Sequence, residues 1–434
     1  MSDSKKVLLI APYFIPRRRV GSLRPFKFAI HLSSLGYEPV VLTIGHQPDQ
    51  LTSKERMMLE SIKILSIDSP FDRTSGPSKM KKSKKKTKKS LAEPVLSWID
   101  KHCPIDTWIL LFILRWGWIK QEAKITKPDL IMATGDPWSG LWLGEKLSKK
   151  LKIPFVADFR DPWTLGGLEL RERSSFSAGM DKIIEKKVID RADRLIFTSL
   201  QTNQLYSDKY QIPPTKSATI YNSFEPRLMK ENSDFSNSMK WDSSRINILF
   251  LGRFRRLSST EVVIDLIKQI RTAEPEMMDL IRIHSFGKPD KDEIERIEKS
   301  GQTALFIYHK PFEPEESLQI MNRADLLLLS TSRERSTIIP AKLWDYLFSE
   351  VPILSVVPNP EVKDIVKETD SGIHFNPDNI MEISDFLIQT VQAKRSGAEL
   401  PVPIRKDSNA IQKFTSKAAT RKLATVFDEV LLKS

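Results

Sequence analysis

Residues 336–347, STIIPAKLWDYL, put a lysine where a cation is disfavoured. Pro340 reads as the first residue of a helix, since its fixed φ and missing N–H suit that position. Lys342 then falls in the first turn, where the helix dipole favours anions, and Asp345 follows on the same face. As a surface pair the two would contribute only about 0.2–0.5 kcal/mol. As a ligand site, the lysine neutralises a phosphate and the carboxylate accepts hydrogen bonds from ribose hydroxyls. FLGRFRR offers a second set, with Gly252 followed by Arg253, Arg255 and Arg256, and guanidinium groups bind phosphate in a bidentate fashion. In ADFRDPW, residues 157–163, Asp158, Arg160 and Asp161 crowd the end of an apolar run. Charges placed there either pair with one another or, for Asp161 and Arg160, face a polar substrate. PYFIPRRRVGSLRPF carries Arg17, Arg18 and Arg19, which suit a phosphate or a solvated face. Gly21 and Ser22 follow, and a glycine at a helix start admits close approach of an anionic or polar group.

These residues need a scaffold that gathers the ends of several strands. Short apolar, β-branched runs alternate with longer helical patterns, which predicts parallel sheets wrapped by helices. In the first half, strands are read at 6–12, 39–44, 63–68, 130–134, 155–159, 194–199 and 218–222. Phe26, Ile30 and Leu35 give the helix between the first two strands, which Gly36 stops. Residues 223–245 lose periodicity and gain Ser, Asn and Asp, as a linker does. A second set follows at 246–252, 281–287, 304–309, 325–331, 352–356 and 372–375. The expected domains are therefore 1–222, 246–400 after the linker, and a terminal helix within 401–434. Each doubly wound domain presents ligand groups at the carboxyl ends of its strands, with a cleft expected between the two.

The chain has 434 residues, enough for two domains. Cys103 is its only cysteine, which excludes an intrachain disulfide or a cysteine-rich metal site and fits a reducing compartment. The opening MSDSKKVLLIAPYF lacks the long apolar segment of a signal peptide, so a cytoplasmic protein is expected. The net charge is +13, but the eight lysines of residues 79–89, KMKKSKKKTKK, leave only +5 when set aside. That run reads as a solvated loop or as a tether to anionic lipid, worth up to roughly 1 kcal/mol per lysine at a charged surface. Nucleic acid is the weaker partner, because no aromatic-rich basic motif accompanies the run. WILLFILRWGWIK, residues 108–120, is interrupted by Arg115 and too short to span a bilayer. It suits a core helix or, with Trp108, Trp116, Trp118, Arg115, Lys101 and Lys120, a membrane–water boundary.

Taken with these residues, the chain resembles the retaining glycosyltransferases of family 4 with the GT-B fold, including the branch that builds bacterial surface polysaccharides. The segments that carry the likeness, in order, are VLLIAPYFIPRRRVGSLRPFKFAIHLSSLGYEPVVLT, KIPFVADFRDPW, ADRLIFTS, ILFLGRF, KPFEPEESLQIMNRADLLLLS and IIPAKLWDYLFSEVPILSV. The resemblance implies two Rossmann-like domains facing across a cleft, with the terminal helix packing back on the first. It implies sugar transfer, with retention, from a nucleotide-diphosphate-sugar donor to a glycan or polyprenyl-linked acceptor. Asp345 takes the place of the glutamate that binds the donor ribose. Arg253 takes that of the arginine that steadies the departing pyrophosphate, and Lys342 is an added phosphate or sugar contact. Tyr308 falls near the nucleobase, while Gly21 and Ser22 back the donor phosphate.

A leaving diphosphate gains charge in the transition state, so preorganised cations rather than a base are the main requirement. No metal and no other cofactor is required by this chemistry, and no DxD-like cluster stands out. Two departures are visible. Thr337 stands where the family often has the first of two glutamates, and the family's second cation falls near Ser258, leaving Arg255, Arg256 or Lys342 to substitute. The competing expectations are a GT-B sugar-nucleotide epimerase and a non-catalytic binding protein for nucleotide sugars or nucleic acid.

Overall fold

The computed structural model describes residues 4–17, 20–68, 101–165, 173–228, 241–312, 316–402 and 408–433. Arg18, Arg19, the lysine run and the middle of the expected linker lie outside the described residues. The chain divides into two units, one of Met1–Tyr221 with Ser416–Ser434, the other of Asn222–Thr415.

The first unit holds β1 (Lys5–Ile10), β2 (Tyr37–Ile44), β3 (Lys63–Ile67), β4 (Leu130–Gly135), β5 (Phe155–Phe159), β6 (Arg194–Phe197) and β7 (Ser217–Thr219). The second holds β8 (Ile246–Phe250), β9 (Ile281–Phe286), β10 (Phe306–His309), β11 (Leu326–Ser330), β12 (Ile353–Val356) and β13 (Gly372–Phe375). Each begins within two residues of the position read from the sequence. The orders are β3-β2-β1-β4-β5-β6-β7 and β10-β9-β8-β11-β12-β13, and every pairing is parallel. Helices cover both faces of such sheets, which is why β1, β4, β5 and β8 read as nearly unbroken apolar runs. In each order the direction of winding reverses once, between β1 and β4 and between β8 and β11. Those are the two points where a doubly wound sheet opens a crevice at its carboxyl edge.

The terminal helix, Ser416–Leu431, returns to the first unit as expected. Tyr37 meets Phe427 edge-on at 5.3 Å between ring centroids and donates its hydroxyl to Asp428 Oδ1 at 2.6 Å. The tryptophan-rich segment is two helices, Trp108–Leu114 and Trp116–Thr126, broken at Arg115. Residues 241–245, the last part of the expected linker, are fixed to the second sheet. Trp241 stacks on His284 at 4.1 Å, and burial with the neighbouring His309 holds His284 neutral, its pKa pushed down to about 3.

One buried ion pair knits the first unit together. Arg24, in the helix Val20–Leu32, donates through Nε and Nη2 to both oxygens of Asp158 on β5, the shortest contact being 2.8 Å. Thr134 Oγ1 on β4 also donates to Asp158, and Arg24 Nη1 donates to the Tyr221 carbonyl beyond β7. The two side chains are 4% and 0% exposed. A charge this deep is tolerable only while its partner is present. Arg24→Ala is therefore expected to destabilise the first unit by about 3–5 kcal/mol in chemical denaturation; a loss below 1 kcal/mol would contradict this role.

Candidate active site

In the second unit the site is built where β8 and β11 part. Their pairing is confined to Leu326–Ile248 and Leu327–Leu249. Beyond it the buried Tyr346 hydroxyl spans both strands, accepting the Leu251 N–H at 2.9 Å and donating to the Leu328 carbonyl at 3.2 Å. Tyr346 lies on the helix Lys342–Phe348, so this contact pins that helix to the carboxyl edge. The helix begins two residues later than the sequence suggested. Pro340 lies outside it, and its carbonyl accepts the Leu343 N–H at 3.0 Å as a turn leading in. Lys342 becomes the first helical residue and Asp345 shares its first turn.

The Lys342 ammonium sits 4.1 Å from the centre of the Phe250 ring, a cation–π contact. Its Cε lies 3.4 Å from where a side chain on Gly252 would begin. Gly252 has φ +118°, a backbone conformation that favours glycine, and the lysine packs against it at ordinary contact distance. Burial, then Arg255 and Arg335, push the Lys342 pKa down to about 7, while Asp345 pulls it up. Three cations and one carboxylate thus converge at this strand end, and a phosphate would restore the balance.

The arginines differ in what they do. Arg253 pairs with Asp290 at 3.2 Å, half-exposed, its Cβ packed 3.5 Å from the space left by Gly287. Arg255 closes a tight turn through paired backbone hydrogen bonds with Ser258, a residue without charge. A further cation that acts on Lys342 comes from elsewhere in the chain. Arg335, in the loop after β11, donates to the Leu257 carbonyl at 3.3 Å. Its neighbour Arg333 is engaged by Glu261, Asp265 and Asp378 together. Nothing in the sequence separates these two arginines, which the loop SRERS offers alike. The buried hydroxyls of Ser285, Ser330 and Thr331, at the ends of β9 and β11, have no hydrogen-bond partner among the described residues. Tyr308 stands apart from this cluster. It lies on the edge strand, two strands from β8, 43% exposed, and burial with nearby Glu298 raises its pKa. Thr337 is half-buried in the loop before Pro340.

In the first unit, Asp158 belongs to the Arg24 pair and is not a site residue. Arg160 instead binds Asp161 at 2.5 Å and approaches Asp136 at 3.8 Å, with both carboxylates 27% exposed above a guanidinium that is 10% exposed. Gly21 is the floor of this group, since a side chain there would start 3.3 Å from Arg160 Nη2. The expected closeness of Gly21 to a phosphate is thus, in this unit, closeness to Arg160. Ser22 is fully buried and its hydroxyl has no hydrogen-bond partner among the described residues. Asp136 was not singled out in the sequence, although GDPW at 135–138 echoes RDPW at 160–163. The two tryptophans of these motifs, Trp138 and Trp163, stack at 5.6 Å with planes 10° apart. The loop carrying Arg160 is anchored from below. Trp163 N–H donates to Tyr206 Oη at 2.7 Å, and buried Glu185, its pKa raised by burial, accepts from Tyr206, Tyr210 and Thr164. Among the described residues no group of three or more His, Cys, Asp or Glu is placed to hold a metal ion.

Comparison with known proteins bears on this arrangement. Residues 26–227 match the family described as Glycosyltransferase Family 4. No curated protein matches the chain. Among solved structures it is similar to a sucrose-phosphate synthase from Thermosynechococcus elongatus, at 14% identity over 99% of this chain and 100% of that one, TM-score 0.66. It is similar to Anabaena HepE in complex with UDP and glucose, at 14% identity over 98% and 100%, TM-score 0.61. A glycosyltransferase from Rickettsia africae is 13% identical over the full length of both, TM-score 0.60. The chain therefore has the GT-B fold, two Rossmann-like α/β units.

The depressed Lys342 pKa has a consequence for stability. Between about pH 7 and 10.5 the unfolded chain holds this proton and the folded chain does not, so unfolding takes up a proton and stability rises with pH across that window. Below pH 7 both states are protonated, and the cost of burying the ammonium is carried in full. Relative to wild type, Lys342→Met should be most stabilising near about pH 6 and lose that advantage by about pH 10 in urea denaturation. An advantage that does not change with pH would show that Lys342 titrates normally.

Proposed function

We propose that the protein is a glycosyltransferase that moves a sugar from a nucleotide-diphosphate-sugar donor, with retention, to a glycan or lipid-linked acceptor in surface-polysaccharide synthesis. It would do so in the cytoplasm, at the inner face of an anionic membrane. The observation that carries the reading is the convergence of Lys342, Arg255 and Arg335 beside Gly252 at the carboxyl ends of β8 and β11. A diphosphate leaving group gains negative charge as the sugar bond breaks, and fixed cations stabilise that change without moving. Lys342 would hold the phosphates, and Arg253, released from Asp290, would meet the charge on the departing oxygen. Asp345 accepts the ribose hydroxyls, Gly252 lets the phosphates approach the backbone, and Tyr308 lies on the nucleobase side. No metal or other cofactor is needed to neutralise the diphosphate when three cations already surround it. In the first unit Arg160 fixes Asp136 and Asp161 as hydrogen-bond acceptors for acceptor hydroxyls, with Gly21 and Ser22 behind them.

Screening the release of nucleoside diphosphate across a panel of nucleotide sugars identifies the donor. With that donor, Lys342→Ala and Arg335→Ala are each expected to lower kcat/KM by about 10². Asp345→Ala should raise KM for the donor while the protein stays folded. Full activity in all three variants would remove the site from the second unit. Appearance of an isomerised nucleotide sugar without acceptor would identify an epimerase instead.

A further inference from the structure

The helices Trp108–Leu114 and Trp116–Thr126 bury Ile109, Leu111, Phe112 and Ile119 in the first unit. Between them Leu110, Ile113, Leu114 and Trp118 are exposed by 47%, 53%, 81% and 37%. Exposed apolar side chains gathered in this way suit an interaction face. A second element adds to it. Ser174 N–H donates to the Lys101 carbonyl at 3.0 Å, which brings the start of the helix Ser175–Arg191, with Phe176 68% exposed, beside the loop leading into Trp108.

The charges around this face are one-sided. Residues 101–126 contain Lys101, Arg115, Lys120 and Lys124 against Asp106 and Glu122. Asp106 is buried, its carboxylate accepting the backbone N–H of Trp108 and of Ser139 at 2.9 Å each. Four cations therefore face a single remaining carboxylate, and Lys101, Arg115 and Lys124 are exposed. The face also has a fixed place in its unit. The Asp106–Ser139 bond ties it to the helix after β4, and Trp108 Nε1 donates to Tyr13 Oη beyond β1 at 3.3 Å. It thus adjoins the carboxyl edge that carries Asp136.

We infer that this face docks on an anionic lipid surface. Leu110, Ile113, Leu114, Trp118 and Phe176 enter the interface while Lys101, Arg115 and Lys124 meet the headgroups. Docked so, the first unit presents its carboxyl edge next to the bilayer from which a lipid-linked acceptor would come. The inference rests on the membrane half of the reading above and names the surface that serves it.

Cosedimentation of the full chain with vesicles tests it, using phosphatidylcholine alone and equal parts phosphatidylcholine and phosphatidylserine. Wild type should pellet with the phosphatidylserine vesicles and much less with the neutral ones. Ile113→Glu with Leu114→Glu, both at exposed positions, should weaken that binding at least about tenfold. Met381→Glu, at an exposed position of the second unit, should leave it unchanged. Nucleoside diphosphate release from the donor should be the same in all three proteins. If the double variant pellets like wild type while wild type binds, the surface is wrong but the membrane reading stands. If wild type pellets with neither vesicle, both fall. A wild-type dimer that the double variant dissociates, with no lipid binding, would make this a self-association face and overturn the inference.

Discussion

Two parallel strands that part company at their carboxyl ends leave backbone groups without ladder partners, and a buried unpaired N–H or carbonyl is costly. In the second unit a single phenol resolves this, because Tyr346 takes the Leu251 N–H and gives its proton to the Leu328 carbonyl. Much follows from that contact. It fixes the helix Lys342–Phe348 at the edge of the sheet and sets Lys342 over Phe250. The lysine packs against Gly252, whose φ of +118° favours a residue without a side chain. The first unit opens at the equivalent point, between β1 and β4, and there Arg160 lies against Gly21 and near Asp136. In both units the order of the strands decides where a site can form, and a few long side chains decide its charge.

The charge around Lys342 contrasts with that around two other cations of the fold. Arg333 is answered by three carboxylates, and Arg24 by a fully buried one. Lys342 faces Arg255 and Arg335, with Asp345 in opposition, and burial with the two arginines lowers its pKa. Folds concentrate such local disagreements where a ligand relieves them. The two carboxylates on Arg160 have the complementary character, acceptors held at a set spacing and partly open to solvent.

The strands were legible because both sheets are covered on both faces, so each strand is a short apolar run bounded by turn residues. Gly252, Lys342 and Asp345 were legible as candidates because each follows the carboxyl end of a central strand, β8 or β11. What the sequence could not show depends on contacts across the fold. Arg335 and Arg333 are indistinguishable in SRERS, and only the positions of Glu261, Asp265 and Asp378 tell them apart. Asp158, Arg160 and Asp161 look like one cluster until Arg24, over 130 residues away, removes Asp158 from it. Tyr346 reads as one more apolar residue of a helix, since a hydroxyl's partners are set by tertiary packing. For residues 108–120 the core reading holds for Ile109, Leu111, Phe112 and Ile119, while Leu110, Ile113, Leu114 and Trp118 are exposed, a split that depends on how the two helices pack.

The central claim is that a nucleoside diphosphate binds beside Lys342 and restores its charge. Calorimetric titration of the intact protein with nucleoside diphosphates, repeated from about pH 7.5 to 9.5 where the ligand's phosphates are fully ionised, measures this most directly. Affinity should fall by up to about tenfold per pH unit as the unliganded lysine loses its proton, with proton uptake on binding, and Lys342→Met should abolish that dependence. Binding that is indifferent to both pH and Lys342, or no binding of any nucleoside diphosphate, would contradict the account.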